Sequence, residues 1–371
     1  MNVSDFDFDL PDELVAQEPP DDRGGSRLLV LDRRSLLMHD AAFARLVDYL
    51  TAGDLIVLND TRVFPARLLG VRVPSGGAVE FMLIRELPAP GVSTSNETQT
   101  SIGNWELGIG SSSCWEALVH PGQKLKPGSR VSFTDGELQL HGEILHRHFQ
   151  GRRTVRLWTD DGSDVATAID RLGHIPLPPY IKREDRVADR ERYQTVYARA
   201  RGSIAAPTAG LHFTTELLGQ LDARGIERTA ITLHVGYGTF KPIRADTVEE
   251  HVMDAERFTI PAGAAAALNR ARSEGRRVIA VGTTTTRALE SAAIDANGRI
   301  SASTGETQLF IRPGHQFRVV QGMVTNFHLP RSSLLMLVAA FAGREQVLAA
   351  YRHAVHHRYR FYSNGDAMLI L

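Results

Sequence analysis

The stretch GDLIVLNDTRVFPARLLGVRV, residues 53–73, places two different strand patterns side by side. Its first half contains the continuous apolar run LIVL, which is typical of a strand buried on both faces of a sheet. Its second half, ARLLGVRV, alternates apolar with polar residues, as a strand with one buried face does. The change of pattern at Val63 therefore predicts a domain boundary.

The residues that follow this boundary predict an inserted domain. From 63 to 159, short alternating runs are separated by turns such as PSGG, KPGS and TDGE, which favours a small antiparallel barrel or sandwich. On both sides, apolar strands alternate with helical patterns such as AAFARLVDYL. We therefore predict an α/β fold, with residues 1–62 and 160–371 forming a discontinuous α/β domain and 63–159 an inserted antiparallel β-barrel. The stretch near 88–113 is poor in large apolar residues and predicts a mobile surface loop.

Composition narrows the class of protein. The formal net charge of -1 means that nucleic acid can be bound only through a local basic patch. The single cysteine, Cys114, excludes an internal disulfide framework and a zinc–cysteine cluster. The acidic start MNVSDFDFDLP lacks the order of a signal peptide, and the longest apolar run, LLMLVAAFAG, is too short to span a bilayer. We expect a cytoplasmic protein without membrane contact.

Several predicted strands end in polar turns. Asn59 to Arg62, Gly236 to Thr239, Thr283 to Arg287, and Asn326 with His328 each follow an apolar run. Ligands of open α/β sheets bind beyond the carboxyl ends of strands, so these turns predict a site, although each is also typical of a plain turn with a helix cap. The loop APTAGLHFT, residues 206–214, adds Thr208 and His212 between Pro207 and Gly210, which break regular structure.

Common motifs are absent. GYG in HVGYGTFKPI lacks the third glycine and the following helix of a dinucleotide site, and no Walker loop, Gly-x-Ser-x-Gly or H-E-x-x-H occurs. His353, His356 and His357 share a helical face without a carboxylate partner in the pattern, so no metal site is predicted. His234 points away from the apolar face of its strand, which fits a satisfied interior histidine or a catalytic one.

Long stretches carry a family resemblance. DFDFDLPDELVAQ, GDLIVLNDTRVFPARLLG, AAPTAGLHFT, VIAVGTTTTRALES and MVTNFHLPRSSLLMLVAAFAG occur in order over nearly the whole chain. Together they resemble the S-adenosylmethionine:tRNA ribosyltransferase-isomerase family of queuosine biosynthesis. The resemblance implies transfer and isomerisation of the ribosyl unit of S-adenosylmethionine onto 7-aminomethyl-7-deazaguanine at the tRNA wobble position. Epoxyqueuosine forms, and adenine and methionine are released. It also implies a monomer that needs no metal or redox cofactor and binds a tRNA anticodon loop.

This chemistry predicts roles for residues. A sulfonium acidifies the neighbouring C5′ hydrogens, so a base must remove one of them, and we predict His212 first, then His234 and His251. An aromatic face such as Phe213, Tyr237 or Phe327 suits the sulfonium, and Arg62 or the N–H groups of the GTTTTR turn suit the methionine carboxylate. The predicted substrate-binding residues are Asp60, Arg62, Thr208, Phe213, Gly236, Tyr237, Gly238, Thr239, Thr283, Thr284, Arg287, Asn326, His328 and Asp366.

Two basic segments predict tRNA contacts. LHRHFQGRRTVR contains Arg147, Arg152 and Arg153, and YRHAVHHRYRFY contains Arg352, Arg358 and Arg360. Arginines can neutralise phosphates, and the tyrosines and phenylalanine of the second segment can stack on unpaired bases. A solvated surface helix is the alternative for the second segment.

Three positions depart from the family pattern. Asn364 stands where the family has tyrosine, Asp254 where it has histidine, and Tyr237 where it has a small or aliphatic residue. These departures leave two alternatives open. One is an S-adenosylmethionine enzyme with a small-molecule acceptor or a donor-cleaving activity. The other is a tRNA-binding module without catalysis.

Overall fold

The computed structural model describes residues 1–88, 112–240, 243, 245–292, 294–295 and 298–371. Nearly all of the predicted mobile loop near 88–113 lies outside these residues. The chain divides into two compact units, one formed by 1–63 with 177–371 and the other by 64–176. The α/β class with an inserted barrel is therefore confirmed.

Within the described residues the strands are, in chain order, β1 Arg27–Leu31, β2 Met38–Ala42, β3 Leu55–Asn59, β4 Thr61–Val63, β5 Arg67–Val73, β6 Ala78–Leu87, β7 Ser112–His120, β8 Arg130–Asp135, β9 Leu138–Arg147, β10 Arg152–Trp158, β11 Ala200–Ser203, β12 Glu227–Leu233, β13 Glu256–Ile260, β14 Val278–Val281, β15 Ser303–Thr307, β16 Gly322–Asn326 and β17 Ala367–Ile370. The α-helices are α1 Val165–Leu172, α2 Asp189–Arg192, α3 Thr215–Ala223, α4 Ala262–Ser273, α5 Thr283–Ser291, α6 Ser333–Ala342 and α7 Arg344–His356. Short 3-10 helices span Val3–Phe6, Asp12–Leu14, Phe43–Tyr49, Phe149–Gly151, Thr208–His212, Tyr237–Phe240 and Val248–Glu250.

The first unit is built on a nine-stranded mixed sheet with the order β15-β13-β12-β3-β14-β16-β17-β1-β2. Strands β12, β3, β14 and β16 are mutually parallel, so their carboxyl ends lie along one edge. Strand β17 runs antiparallel to β16, and β1 runs parallel to β17, so both begin at that edge. A small parallel pair, β11 with β4, completes the strands of this unit.

Both faces of the large sheet are buried, as the apolar run in residues 55–58 predicts. Leu55 and Val57 belong to one hydrophobic cluster, and Ile56 and Leu58 belong to the cluster on the opposite face, because successive side chains of a strand alternate. Helices α4 to α7 contribute to the first cluster and α3 to the second. This burial holds the strand ends, and the turns that follow them, in fixed positions.

The second unit is a closed six-stranded barrel with the order β10-β7-β6-β5-β8-β9, in which every neighbouring pair is antiparallel. Gly70 allows β5 to pass close to β8, because a Cβ atom there would lie 2.4 Å from the carbonyl oxygen of Ser132. The unit begins at 64 and ends at 176, whereas the sequence predicts 63 and 159. The second boundary moves because α1 packs on β8 and β9.

One predicted helix takes another form. AAFARLVDYL, residues 41–50, supplies the end of β2 and then a 3-10 helix, Phe43–Tyr49. Pairing of β2 with β1 keeps Ala41 and Ala42 extended, so tertiary pairing overrides the local helical pattern there. Phe43, Leu46 and Val47 are still buried together, as the periodicity predicts.

No single helix among the described residues is long and apolar enough to cross a membrane. Helices α6 and α7 reach the required length and composition only as a pair, across a bend of 116°.

Candidate active site

A cavity lies at the edge where β14 and β16 end. It holds about 580 Å³ of empty space, including the open solvent at its mouth. The predicted residues that line it are Thr208, Thr239, Thr283, Thr284, Asn326 and His328. Residues that the sequence did not single out for the site also line it, notably Tyr180, Tyr193, Thr325, Tyr362 and Ser363. The described lining of this first cavity contains no Asp, Glu, Lys or Arg.

The start of α5 forms one wall of the first cavity. Gly282 turns the chain from β14 directly into the helix with φ +94°, a conformation that favours glycine. Thr285 and Thr286 turn their hydroxyls back onto the carbonyls of Val281 and Gly282, at 2.6 and 3.1 Å, while Thr283 and Thr284 face the cavity. Because the first N–H groups of a helix lack intrahelical acceptors, this wall suits an anionic group.

Asn326 links three segments around the first cavity. Its Oδ1 accepts from Thr208 Oγ1 at 3.1 Å, and its Nδ2 donates to His212 Nε2 at 3.0 Å and to the carbonyl of Tyr362 at 3.1 Å. Since Nε2 accepts, the proton of neutral His212 is on Nδ1, which donates to Ser26 Oγ at 2.9 Å. Burial lowers the pKa of His212 to about 4, so the ring is neutral at pH 7.

His328, which the sequence predicts to bind substrate, lines the first cavity. Its Nε2 lies 2.8 Å from Thr325 Oγ1, and its backbone N–H donates to the hydroxyl of Tyr351 at 3.0 Å. Burial lowers the pKa of His328 to about 3, which keeps this ring neutral as well. A neutral imidazole is the form that can accept a proton, although a low pKa weakens its basicity.

A second, smaller cavity borders His212. Arg23, Leu211, Asn364 and Gly365 are among its lining residues, and Ser363 lines both cavities. Arg23 Nη1 donates to the carbonyl of Gln194 at 2.6 Å, so its guanidinium is held in place. Asn364, one of the departures from the family pattern, thus lies at this second cavity.

The other two predicted histidines, His234 and His251, line neither of these two cavities. His234 Nδ1 is 2.9 Å from Thr61 Oγ1, and its ring packs over Gly202, where a Cβ would lie 2.7 Å from Cε1. His251 packs edge-on against Phe310, with ring centroids 5.1 Å apart. Burial lowers the pKa of both histidines. Their catalytic roles remain predictions.

Glu256 holds the Gly236–Thr239 turn against the first cavity. Its Oε1 accepts from Gly236 N at 3.0 Å and from Thr239 Oγ1 at 3.3 Å, while Oε2 is paired with Arg287. Both members of this ion pair are buried, and Arg287 Nε also donates to the carbonyl of Leu309. Arg287, predicted to bind substrate, therefore fixes the turn in this structure. Glu256 escaped prediction because its strand, ERFTI, carries no site motif.

Comparisons with known proteins show the family of the chain. The profile of the queuosine biosynthesis protein family matches residues 3–370. A relative from Anaeromyxobacter sp. is 50% identical over 370 residues, which cover 100% of this chain and 99% of its own length. A relative from Caldanaerobacter subterraneus subsp. tengcongensis is 47% identical over 371 residues, which cover 100% of both chains. Both are named S-adenosylmethionine:tRNA ribosyltransferase-isomerase. The chain belongs to this family.

A solved structure of the family agrees as well. The crystal structure of an S-adenosylmethionine tRNA ribosyltransferase from Thermotoga maritima matches with 36% identity and a TM-score of 0.53, over 99% of this chain and 100% of that one. The family and the transferase class that the sequence predicts are therefore confirmed. Roles of individual residues remain predictions, and the structure shows where each one lies.

Of the three aromatic residues predicted to face the sulfonium, two lie in the hydrophobic core and one lies in a turn. Phe213 and Phe327 are fully buried, the first against Phe43 with ring centroids 5.2 Å apart and the second against Tyr351 at 5.3 Å. Both serve the core in this structure, because an aromatic residue beside a polar turn fits a hydrophobic layer equally well. Tyr237 is half-buried in the turn that Glu256 holds, and the next residue, Gly238, faces Asp254.

The two predicted residues that follow β3, Asp60 and Arg62, interact with other side chains of the protein. Asp60 accepts from Thr232 Oγ1 at 2.6 Å and pairs with Arg199 at 2.7 Å. Arg62 is exposed and lies 3.7 Å from Glu191. Neither lines the first or the second cavity in the described chain.

At the start of β17, Asp366 accepts from Arg27 N at 2.9 Å and from Arg360 N at 2.8 Å, and it pairs with the Arg27 guanidinium at 3.0 Å. Asp366 is buried beside the second cavity, next to Gly365 in the chain.

The residues predicted to bind tRNA differ in exposure. In the barrel unit, Arg147 is exposed, Arg152 pairs with Glu116 at 2.7 Å, and Arg153 is buried with Nη2 donating to the carbonyl of Gly122 at 3.0 Å. In the other unit, Arg352 and Arg358 are exposed and Arg360 is half-buried.

The aromatic residues of the second basic segment are less accessible. Tyr351, Tyr359 and Phe361 are buried, so these three rings are not presented for stacking on bases. No cluster of metal-ligating side chains occurs in the part of the chain that the structure describes.

Proposed function

We propose that the chain transfers and isomerises the ribosyl unit of S-adenosylmethionine onto 7-aminomethyl-7-deazaguanine at the wobble position of a tRNA, as the names of its relatives suggest. Adenine and methionine leave, and epoxyqueuosine forms. The observation that carries the proposal is the convergence of Thr208, Thr283, Asn326 and His328 on one cavity. These residues come from three separate segments of the chain, and the sheet edge brings them together.

The donor's methionine carboxylate fits the start of α5. The cavity lining holds no arginine or lysine within the described residues, so the exposed N–H groups at this helix start are its positive end. The hydroxyls of Thr283 and Thr284 add donors beside them. The carboxylate of the donor is thereby oriented without a buried ion pair.

His328 is our choice as acceptor of the C5′ proton. His328 lines the first cavity, and with Nε2 directed at Thr325 the other ring nitrogen is the one we assign to the substrate. His212, the residue ranked first from sequence, has Nε2 occupied by Asn326 and Nδ1 by Ser26. We therefore assign His212 a positioning role, in which it orients Asn326 and, through it, Thr208. Loss of adenine follows deprotonation, and the uncharged aminomethyl group then attacks the sugar.

Exposed arginines support the tRNA part of the proposal. Arg352 and Arg358 on the α/β unit and Arg147 on the barrel unit present charges that phosphates can neutralise. We expect Arg352→Gln to weaken tRNA binding about threefold at low salt and to reduce the salt dependence of binding. Filter binding between low and high salt measures both. A salt-insensitive affinity in the wild type would remove the electrostatic part of the proposal.

The same proposal covers cofactor, assembly and location. Sulfonium acidification supplies the driving force for deprotonation, so we propose that no metal or redox cofactor takes part and that S-adenosylmethionine is consumed. We further propose that the protein acts as a monomer in the cytoplasm, where its tRNA substrate is found.

One assay tests the activity. The protein is incubated with S-adenosylmethionine, with and without tRNA bearing 7-aminomethyl-7-deazaguanine, while adenine release and the modified nucleoside are followed by chromatography and mass spectrometry. We expect adenine release that depends on the modified tRNA, with one epoxyqueuosine formed per adenine.

A second outcome of that assay would favour another acceptor. Asn364 replaces the family's tyrosine at the second cavity, and Tyr237 and Asp254 are the other departures. Adenine release without tRNA would support a small-molecule acceptor or donor cleavage. No adenine under any condition, together with tRNA binding, would indicate the non-catalytic module.

A further inference from the structure

We propose that Tyr180, Tyr193 and Tyr362 form an aromatic box that receives the positively charged sulfur of the donor in the first cavity. The inference rests on the proposed function and deepens it, because it names the groups that bind the charged centre of the donor. All three residues line the cavity. Tyr180 and Tyr193 come from the segment before β11, and Tyr362 comes from the turn before β17.

The charge of the cavity lining points to aromatic rings. Its described residues contain no carboxylate, and His328 is neutral because burial lowers its pKa to about 3. A cation that enters such a cavity loses hydration and needs compensation. Ring faces carry partial negative charge and attract cations, and a sulfonium has no N–H group to donate to a hydroxyl or carboxylate. Tyrosine rings are therefore the groups in this lining that can stabilise it.

The backbone of Tyr362 is held in an uncommon conformation that supports the proposal. Its φ is +73°, in the left-handed region that residues other than glycine seldom occupy. Three hydrogen bonds hold it there: Tyr362 N donates to Phe327 O at 3.0 Å, and Tyr362 O accepts from Gly365 N at 2.9 Å and from Asn326 Nδ2 at 3.1 Å. Such conformations persist where the surrounding structure enforces them, often at ligand sites.

The rings are packed and uncharged. Tyr362 and Tyr180 have ring centroids 3.9 Å apart and an interplanar angle of 45°, so each restrains the other. The Tyr180 hydroxyl is hydrogen-bonded to Ser363 Oγ. Burial raises the pKa of the Tyr180 phenol well above its usual range, so it stays protonated. The attraction for a cation therefore comes from the ring faces, not from a phenolate.

The box and the start of α5 together fit the sulfonium and the carboxylate of the donor. The helix start at Thr283 is suited to a carboxylate, and the tyrosines are suited to the sulfonium, within one cavity. A donor bound by both ends lies along the lining that also contains His328.

The test compares a charged and a neutral ligand of nearly the same shape. Calorimetry measures the Kd of S-adenosylmethionine and of S-adenosylhomocysteine, its neutral thioether, for the wild type and for Tyr362→Leu, Tyr180→Leu and Tyr362→Phe. We expect each leucine variant to lose preference for the sulfonium by about tenfold and the phenylalanine variant to keep it. Tyr49→Leu, at a half-buried tyrosine that does not line the cavity, is the matched control and should keep the wild-type ratio.

The outcomes separate the box from the proposed function. Folded leucine variants that keep the wild-type ratio, or that weaken both ligands equally, would overturn the box while leaving S-adenosylmethionine binding in place. A wild type that binds neither compound would overturn the proposed function itself, and the box with it. Thermal unfolding establishes which variants fold. If the leucine variant at one tyrosine does not fold, the leucine variant at the other tyrosine still tests the box.

Discussion

Polar side chains follow both β3 and β16 at the same sheet edge, yet they are used differently. At the end of β3, Asn59 binds the N–H and C=O groups of Leu233, and Thr61 Oγ1 lies within 2.9 Å of both Ser203 Oγ and His234 Nδ1. At the end of β16, Asn326 makes three hydrogen bonds, but it lines a cavity together with His328.

The difference teaches that a polar strand end is not by itself a functional signal. The hydrogen bonds of Asn59, Thr61 and Ser203 connect β3, β4, β11 and β12 and the residues next to them. We call this region the structural joint. The corner after β16 leaves its polar surface facing an empty volume. Substitutions in the joint should therefore change stability, and substitutions at the cavity should change activity.

The largest expected effect separates the histidines of the two corners. His328→Ala should lower the rate constant of adenine release by about a hundredfold or more, because a general base typically contributes that much. His234→Ala, at the joint, should change it less than about threefold. Single-turnover adenine release measures both. His212→Ala should give an intermediate loss, and a larger loss for it than for His328→Ala would reverse their assigned roles.

The next effect compares two buried asparagines. Asn59→Ala should lower the free energy of unfolding by about 3 kcal/mol, since it leaves backbone groups of Leu233 without their partners. The kcat/KM of the folded protein should stay within about threefold of the wild type. Asn326→Ala should lower both quantities. Urea unfolding and steady-state kinetics distinguish the two variants. An Asn59→Ala variant that is inactive but fully stable would contradict the structural role of Asn59.

The pH dependence of stability sharpens the same contrast. Burial lowers the pKa of His212 from 6.5 to about 4, so the unfolded chain takes up a proton first as the pH falls. The stabilisation is fully present above pH 6.5 and is lost toward pH 4, with about 2 kcal/mol gone by pH 5. Urea unfolding measures the free energy of unfolding at pH 7.5 and at pH 5.0, and the difference between the two values should be smaller in His212→Asn than in the wild type. His234→Asn, which alters a half-buried ring, should reduce it less.

The smallest expected effect concerns two threonines. Thr61→Val should cost about 1 kcal/mol of stability, because its hydroxyl has buried partners, and should leave the KM for S-adenosylmethionine unchanged. Thr283→Val should raise that KM about threefold with stability within about 0.5 kcal/mol of the wild type. Thermal unfolding and initial rates check each variant. The opposite pattern would exchange the functions of the two corners.

Much of the fold could be predicted from local patterns. The continuous apolar run before Asn59 gave a strand buried on both faces, and the alternating runs after Val63 gave the barrel. The segment 160–176 falls within the barrel unit of the structure, and its helical pattern does not reveal that α1 packs on barrel strands. The stretch at 41–50 failed as a helix because pairing with β1 competes with local periodicity.

The site could be predicted only in part. The sequence pattern predicts the position of three site residues, because they lie at or near the ends of predicted strands: Thr208, Thr283 and Asn326. Tyr180 and Tyr193 lie in a proline-rich and charged segment without periodicity, where only the aromatic residues of HIPLPPYI and ERYQTVYA offered a signal. Phe213 and Phe327 were predicted instead, because a sequence does not show whether a ring packs into a core or faces a cavity.

The amino-acid sequence by itself determined the alternation of strands and helices, the inserted barrel and the family, since these depend on periodicity and on long ordered stretches. Only the tertiary structure decided which polar turns share a cavity. The order β12-β3-β14-β16-β17-β1 brings together residues as distant in the chain as Ser26, His212 and Asn326. Hydrogen bonds between such distant segments depend on strand order and register, which no local spacing encodes.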